Sequence, residues 1–378
     1  MKCILFSDNT AWGLYNFRRA VMLHFIKHGY DVSVCVPYDP VYTGKLEAMG
    51  CKVHLIQMET KGINPLKDFR VIWSYYKVMR KVRPLLSITY TIKPNVYGGM
   101  VARWLGIRYL AIVPGAGMVF MKRSLVTWIV KILYVIGFRK ASHVWFLNQD
   151  DANLFRREGM VPFSKIGILD GEGIDLSLFP LKVFDDCGWE GKELIFLMTG
   201  RLLREKGVFV YAEAARLLKK KYKKVRFQLL GMLDSVYTKE SITREDVEEW
   251  QKEGIVDYLG TTSDVSSVLQ KADILVLPSF YREGIPRSLM EGAATGLPIV
   301  TTDHTGCREM VMEGYNGFLC KICDVESLAG AMERMINLSV EERCQMGLNG
   351  RLLVEKRFDV KKVIHRYDQT VNEILSNK

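Results

Sequence analysis

The sequence predicts an α/β protein with two doubly wound parallel sheets, each covered by helices on both faces. The chain has 378 residues, which suits two domains at about 150 residues each. Short apolar runs alternate with amphipathic runs, as in strands joined by crossover helices. The alternation breaks around 171–190, where Gly171, Gly173 and Pro180 interrupt it, and then begins again. We expect a ligand in the cleft between the domains, at the carboxyl ends of the strands.

The predicted elements follow the apolar runs in chain order. In the first half, strands are predicted at 3–6, 31–36, 53–56, 85–88, 109–113 and 143–147, with helices at 16–27, 66–82, 96–105 and 124–138. In the second half, strands are predicted at 194–199, 225–230, 274–277 and 299–302, with helices at 208–220, 288–295, 325–336 and 340–358. The predicted domains are 1–178 and 179–358.

The positive charge is concentrated in the first half. The net charge is +11, yet no acidic residue lies between Asp68 and Asp150, a segment that holds 13 basic residues. Such a field attracts nucleic acid, an anionic membrane or phosphorylated substrates. Since no helix-turn-helix, zinc-finger or aromatic RNA-binding signature occurs, we expect no nucleic acid.

The sequence predicts neither a membrane span nor a metal site. The apolar run at the N-terminus is too short for a signal peptide, and the run 124–138 is interrupted by Lys131 and shorter than the about 20 residues that a span needs. With eight cysteines and no secretion signal, we expect reduced thiols in the cytoplasm. Cys320 and Cys323 have a metal-ligand spacing, but no second pair or histidine cluster accompanies them.

The segment 199–207 is the first group of residues suited to chemistry. It follows a predicted strand and precedes a predicted helix, and Gly200 lets the chain turn sharply between them. Arg201 and Lys206 near the helix N-terminus would form a clamp for a diphosphate. The alternative is an ordinary turn with both cations in solvent.

The segment 278–292 is the second group. Pro286 suits the first turn of a helix, with Glu283 in the loop before it and Glu291 further along. The amides of that turn would face the same region and bind an anion, while the carboxylates accept hydrogen bonds from sugar hydroxyls. The alternative makes Glu283 a surface carboxylate.

These two groups together resemble the retaining glycosyltransferases of family 4. Their hallmark is two glutamates separated by seven residues, as Glu283 and Glu291 are. The segments 294–300 and 315–319 also match. In the first half, 15–18, 91–98 and 113–117 resemble the branch that builds polyprenyl-diphosphate-linked oligosaccharides, including bacterial N-acetylgalactosaminyltransferases.

The resemblance implies the GT-B fold, with two Rossmann-like domains facing each other across a cleft and a final helix, 359–378, crossing back to the first domain. It implies a hexosyltransferase that moves a hexose or N-acetylhexosamine from a UDP-sugar to a lipid-diphosphate-linked saccharide with retention. Such enzymes serve capsule, O-antigen or glycan assembly from the cytoplasmic face of the membrane. No metal or other cofactor is expected, since cationic side chains replace the metal and the phosphate takes the acceptor proton.

The resemblance also assigns residue roles. Arg201, Lys206 and Glu283 would be catalytic, the cations holding the diphosphate and Glu283 contacting the donor sugar; Glu291 would bind the ribose hydroxyls. Many relatives place a histidine in the first domain, but 91–93 and 113–115 offer none, so no catalytic histidine is assigned. The other donor-binding positions implied are Gly13, Gly200, Gly231, Leu259, Gly260, Gly284, Ile285, Pro286, Arg287, Ser288 and Leu289.

Two other functions remain open from the sequence. A sugar-nucleotide epimerase shares the two-domain architecture and would bind the same nucleotide without a membrane acceptor. A non-enzymatic basic scaffold at the membrane would explain the charge, but it would not need the paired glutamates.

The helix predicted at 66–82 supplies a candidate membrane contact. At about 100° per residue, its apolar residues form one stripe, and Phe69 and Trp73 lie on the opposite, basic face. Basic residues mixed with aromatics suit the headgroup region of an anionic bilayer. The alternative is that Trp73 packs on a neighbouring helix. The segment 121–140 is a second candidate, which could form either a buried helix or one inserted into the membrane. The predicted acceptor and membrane residues are Arg70, Trp73, Lys77, Arg80, Lys81, Lys93, Lys122 and Arg123.

Overall fold

The computed structural model describes residues 2–59, 65–120, 124–182, 193–233 and 241–376. The chain forms two compact units. The first contains Met1–Gly173 together with Val360–Lys378, and the second contains Ile174–Asp359. The domain boundaries predicted from the sequence, after residues 178 and 358, lie within a few residues of the boundaries between these units.

In the described part of the first unit, seven strands form one sheet in the order β3-β2-β1-β4-β5-β6-β7. Every neighbouring pair runs parallel. The strands are β1 Cys3–Ser7, β2 Asp31–Val36, β3 Lys52–Leu55, β4 Leu86–Tyr90, β5 Arg108–Val113, β6 His143–Phe146 and β7 Ile166–Ile168.

Helices cover both faces of this sheet. They are α1 Ala11–Lys27, α2 Tyr42–Ala48, α3 Pro65–Val82, α4 Gly99–Trp104, which continues a π-helical turn at Pro94–Gly98, α5 Leu125–Phe138, α6 Gln149–Arg157 and α13 Val360–Ser376. Thr10 caps α1 by accepting a hydrogen bond from the amide of Gly13 at 3.0 Å. The hydroxyls of Tyr367 in α13 and Tyr90 in β4 are 2.8 Å apart and buried. This contact holds the last helix in the first unit.

The second unit has a six-stranded parallel sheet in its described part, in the order β10-β9-β8-β11-β12-β13. The strands are β8 Leu194–Thr199, β9 Val225–Leu230, β10 Asp257–Tyr258, β11 Ile274–Leu277, β12 Ile299–Thr302 and β13 Gly317–Cys320. The helices are α7 Val208–Lys221, α8 Arg244–Lys252, α9 Val265–Leu269, α10 Arg287–Thr295, α11 Val325–Asn337 and α12 Val340–Arg357.

Both sheets reverse their strand order once. The reversal lies between β1 and β4 in the first unit and between β8 and β11 in the second. Because loops diverge at such a point, a crevice opens at the carboxyl ends of the two strands. The predicted α/β class with two parallel sheets is confirmed. Among the described residues, no helix combines the length and apolarity required to cross a bilayer.

Candidate functional site

Three glycines meet at the carboxyl ends of β8, β9 and β10. The amide of Gly200 donates to the carbonyl of Leu230 at 3.0 Å, and that of Gly231 donates to the carbonyl of Gly260 at 2.8 Å. A Cβ on Gly231 would lie 1.6 Å from the carbonyl oxygen of Gly200, so a side chain there would force the loops apart. Leu259, the other residue predicted near the base, is exposed beside them.

The loop after β8 carries both predicted cations. Arg201 is exposed, and its guanidinium forms no hydrogen bond or ion pair with the residues that the structure describes. Lys206 ends a single 3-10 turn, and Gly207 then adopts a φ of +81° before α7 begins. A Cβ on Gly207 would lie 2.1 Å from the carbonyl oxygen of Pro278. Glycine therefore permits the loop after β8 to touch the loop after β11.

Backbone hydrogen bonds lock these two loops together. The amides of Phe280 and Tyr281 donate to the carbonyl of Glu205 at 2.9 and 3.1 Å. From the last residue of β12, the hydroxyl of Thr302 donates to the carbonyl of Ser279 at 2.5 Å. These bonds fix the backbone on which the functional side chains stand.

Lys206 and Glu283, which the sequence assigned to different parts of a donor, form an ion pair between Nζ and Oε1. The hydroxyl of Ser279 also donates to Oε1, at 3.0 Å. The side chains of Lys206 and Glu283 are only 16% and 12% exposed. The carboxylate of Glu283 is therefore oriented from two sides, and the ammonium of Lys206 lies beside it at the rim of the crevice.

Glu291 lies one turn into α10 and pairs with Arg287, whose Nε donates to Oε1 at 2.9 Å. Burial raises the pKa of Glu291, and the nearby charge of Arg287 opposes that rise. The guanidinium of Arg287 thus helps to hold this carboxylate. From the sequence, only the backbone of Arg287 was expected to contact the donor.

The start of α10 supplies the predicted anion-binding amides. Pro286 is the N-cap of α10 and not, as the sequence had predicted, a residue of its first turn, and no side chain caps the helix. The first intrahelical bond at this end runs from Met290 to the carbonyl of Pro286 at 3.3 Å. The amides of the preceding positions, among them Ser288 and Leu289, therefore point out of the helix end. Gly284 and Ile285, also predicted to contact the donor, are buried just before this turn.

Two residues near Glu283 were not singled out from the sequence. Ser279 contacts its carboxylate directly. Cys307, in the loop after β12, is fully buried, and its pKa is raised to about 12 by burial and by the charge of Glu283. Only the adjacency of β11 and β12 brings this loop to the site, and no local signal in the sequence indicates that adjacency.

Gly13 lies in the first unit, in the first turn of α1. A Cβ there would lie 2.8 Å from the hydroxyl of Thr10 that caps the helix. Its lack of a side chain therefore has a local cause, the helix cap, besides the donor contact that the resemblance implies.

The basic face predicted on α3 is exposed. Val71, Tyr75 and Met79 are buried on the other side, which confirms the core-facing stripe. Trp73 is half exposed and stacks on Tyr76 of its own helix, with ring centroids 5.4 Å apart. The charged residues exposed on this face are Arg70, Lys77, Arg80 and Lys81.

Lys93 does not share that exposed face. Its side chain is 13% exposed, and its ammonium donates to the buried carboxylate of Asp68 at 2.9 Å. Lys122 and Arg123 lie outside the described residues. Within the described ranges, no group of three or more histidine, cysteine, aspartate or glutamate side chains is arranged to hold a metal ion.

Comparison with known proteins finds relatives in sequence and neighbours in fold. Residues 182–353 match the family model described as glycosyl transferases group 1. The chain is 29% identical, over 98% of its length and 99% of the relative's, to the N,N'-diacetylbacillosaminyl-diphospho-undecaprenol alpha-1,3-N-acetylgalactosaminyltransferase of Campylobacter jejuni. It is 24% identical, over 84% of its length and 83% of the relative's, to the UDP-Gal:alpha-D-GlcNAc-diphosphoundecaprenol alpha-1,3-galactosyltransferase of Escherichia coli.

Two solved structures show the same fold along the whole chain. A glycosyltransferase from Rickettsia africae superposes with a TM-score of 0.80 at 16% identity, covering 100% of this chain and 99% of the other. Anabaena HepE in complex with UDP-glucose superposes with a TM-score of 0.79 at 18% identity, covering 99% and 100%. Residues 182–353, which include the loops after β8 and β11, therefore form a glycosyl transferases group 1 domain.

Proposed function

We propose that this glycosyltransferase moves a hexose or N-acetylhexosamine from a UDP-sugar to a polyprenyl-diphosphate-linked saccharide, with retention of configuration. The observation that carries the proposal is the Lys206–Glu283 ion pair at the strand reversal of the second sheet, with the exposed Arg201 in the same loop as Lys206. The named relatives from Campylobacter jejuni and Escherichia coli act on undecaprenol-linked saccharides, which supports the acceptor class.

The diphosphate of the donor is assigned to Arg201, Lys206 and the amides at the start of α10. Arg201 offers a planar pair of donors that suits phosphate oxygens, and it has no competing partner among the described residues. Lys206 shares its charge between Glu283 and the phosphate. As the bond between the sugar and the phosphate breaks, these groups stabilise the charge that develops on the departing UDP. They supply the role that a divalent metal would otherwise fill, so we propose metal-independent turnover.

Glu283 is assigned to the donor sugar and Glu291 to the ribose. Lys206 and Ser279 hold the carboxylate of Glu283 in place, so it can accept hydrogen bonds from sugar hydroxyls and stabilise positive charge at the anomeric carbon. In a retaining reaction in which the acceptor attacks on the leaving-group face, the phosphate takes the acceptor proton. No protein base is then needed.

The acceptor is proposed to be met at an anionic membrane surface, on the cytoplasmic face. The support is the acid-free segment 69–149 and the exposed face of α3, where Arg70 and Lys77 flank Trp73. Each such basic residue near an anionic surface contributes about 1 kcal/mol of attraction. We expect the enzyme to bind peripherally there.

The test is a screen of UDP-sugars against polyprenyl-diphosphate-linked monosaccharides, scored by product mass. Formation of a lipid-linked disaccharide together with UDP would support the proposal. Interconversion of free UDP-sugars without an acceptor would instead identify an epimerase.

Two variants then test the division of roles. Glu283→Gln should reduce turnover far more than UDP affinity, because its charge acts on the sugar in the transition state. Glu291→Ala should weaken UDP binding. Glu249→Gln, an exposed glutamate on α8, is the matched control and should change neither quantity. If Glu283→Gln and Glu291→Ala gave the same UDP titration, the assignment would be wrong.

A further inference from the structure

One face of helix α5 packs tightly against the rest of the first unit. A Cβ on Gly137 would lie 2.9 Å from the Cα of Val96, so this glycine permits direct contact between α5 and the π-helical turn. The hydroxyl of Tyr109 donates to the carbonyl of Gly137. Val130 and Tyr134 on the same side are buried. The orientation of the helix is therefore fixed by close packing.

The opposite face of α5 is apolar and exposed. Its largest exposed side chains are Leu125 at 73% and Trp128 at 60%. At about 100° per residue, all but one of the exposed apolar positions fall within an arc of about 100°, and Val126 lies outside it. The one charged residue in the helix, Lys131, donates to Glu158 at 2.5 Å and so adds no unpaired charge to this face. The exposed apolar residues of the arc are Leu125, Trp128, Ile132, Val135 and Ile136.

A surface helix in water normally presents polar residues on its outer side. A contiguous apolar stripe on a folded protein indicates a surface that is covered by a partner. The partner must also suit the charge around the stripe, which lies in the acid-free segment and has the exposed Arg139 and Lys140 directly after the helix. A second copy of the chain would bring these like charges together, whereas an anionic bilayer would attract them.

The helices next to α5 also suit contact with an anionic bilayer. Helix α4 packs between α3 and α5 and presents Trp104, which is exposed. Helix α3 presents Trp73 among basic residues. Tryptophans and basic side chains prefer the headgroup region, while an uncharged apolar stripe prefers the acyl chains beneath it.

We propose that α5 inserts its exposed apolar stripe into the acyl region of an anionic bilayer and lies parallel to the membrane plane. Its 14 residues, about 21 Å in length, are too short to span the bilayer but suffice for in-plane insertion. This proposal deepens the proposed function, on which it rests for the lipid-linked acceptor. It places the main apolar membrane contact on α5, with α3 contributing headgroup contacts.

The experiment is flotation of the full chain with vesicles of phosphatidylcholine containing phosphatidylglycerol. The variant Trp128→Gln with Ile132→Gln should lower the partition coefficient by about tenfold or more, because two side chains that enter the acyl region become polar. The control, Leu217→Gln with Leu352→Gln, changes two exposed leucines on α7 and α12 and should bind like wild type. Unchanged thermal unfolding would show that both double variants fold.

Two results would overturn the proposal. One is equal flotation of wild type and the α5 variant. The other is a concentration-dependent dimer in lipid-free sedimentation that the α5 variant loses, which would make a second copy the occupant.

A turnover assay separates this proposal from the proposed function. With a short-chain, water-soluble acceptor the α5 variant should retain wild-type turnover, and with a long-chain acceptor in vesicles it should lose about tenfold or more. An equal loss with both acceptors would refute the membrane role. If wild type transferred to neither acceptor, the proposed function would fail, while the flotation result would still decide the role of α5.

Discussion

Removal of Lys206 should have a cost in stability that removal of Arg201 does not have. In Lys206→Ala, the carboxylate of Glu283 keeps its contact with Ser279 but loses its cation while remaining mostly inaccessible to solvent. Loss of the cation beside a mostly buried carboxylate costs about 1–3 kcal/mol, and the cost is higher where the pair is fully buried. Because both side chains keep some exposure, we expect about 2 kcal/mol. For a unit of this size, that lowers the melting temperature by about 4–8 °C.

The assay is thermal unfolding of three variants together with UDP calorimetry. Arg201→Ala should melt like wild type, because its guanidinium has no partner among the described residues. Lys206→Ala with Glu283→Gln should recover most of the lost stability, since the stranded charge is removed. Arg201→Ala and Lys206→Ala should each weaken UDP binding by about tenfold, or about 1.4 kcal/mol. The double variant should not recover UDP affinity.

One result would refute this reasoning. If the double variant melted no higher than Lys206→Ala, the lost stability would not come from the stranded carboxylate of Glu283. That result would also mean that the ion pair with Glu283 is not what orients Lys206 toward the crevice.

Four further predictions follow from the same site. Gly207→Ala should lower the melting temperature and weaken UDP binding, because its Cβ would lie 2.1 Å from the carbonyl of Pro278 at a φ of +81°; calorimetry and unfolding measure both. The raised pKa of Glu291 means that it takes up a proton at a higher pH than an exposed glutamate, so UDP affinity should fall on acidification more steeply in wild type than in Glu291→Gln. At pH 8 iodoacetamide should leave Cys307, whose pKa is about 12, unlabelled until unfolding, while the exposed Cys323 reacts, as mass spectrometry would show. Turnover should survive a chelator, and a strict requirement for added Mg²⁺ or Mn²⁺ would contradict metal independence.

The sequence predicted the strands that are buried on both faces, because such strands are continuous apolar runs. It missed β7 and β10, which have only three and two residues, and β13, in which only Phe318 and Leu319 are large apolar residues. It also missed α8, in which only Val247 and Trp250 are buried, so little apolar periodicity remains. The capping box between Thr243 and Asp246 is a local signal that would have located its start.

The positions of the candidate site residues after their strands could be predicted, but the pairing of two of them could not. Arg201, Lys206 and Glu283 each follow a strand, and the carboxyl ends of parallel strands lie on one edge of a sheet. The contact between Lys206 and Glu283 joins residues 77 positions apart. The contact forms because β8 and β11 are neighbours in the sheet, although they are not consecutive in the chain. No spacing within the sequence encodes that neighbour relation.

The pairing also changes how the two halves of a donor would be recognised. Under the proposed roles, the diphosphate draws on the same ammonium that neutralises Glu283 before the donor binds. Phosphate binding would then leave Glu283 with less compensation, and its negative charge would act more fully on the sugar beside it. The sugar contact and the diphosphate contact would therefore be coupled through Lys206. A double-mutant cycle on Lys206 and Glu283, read in turnover, should accordingly be non-additive, whereas one on Arg201 and Glu283 should be closer to additive.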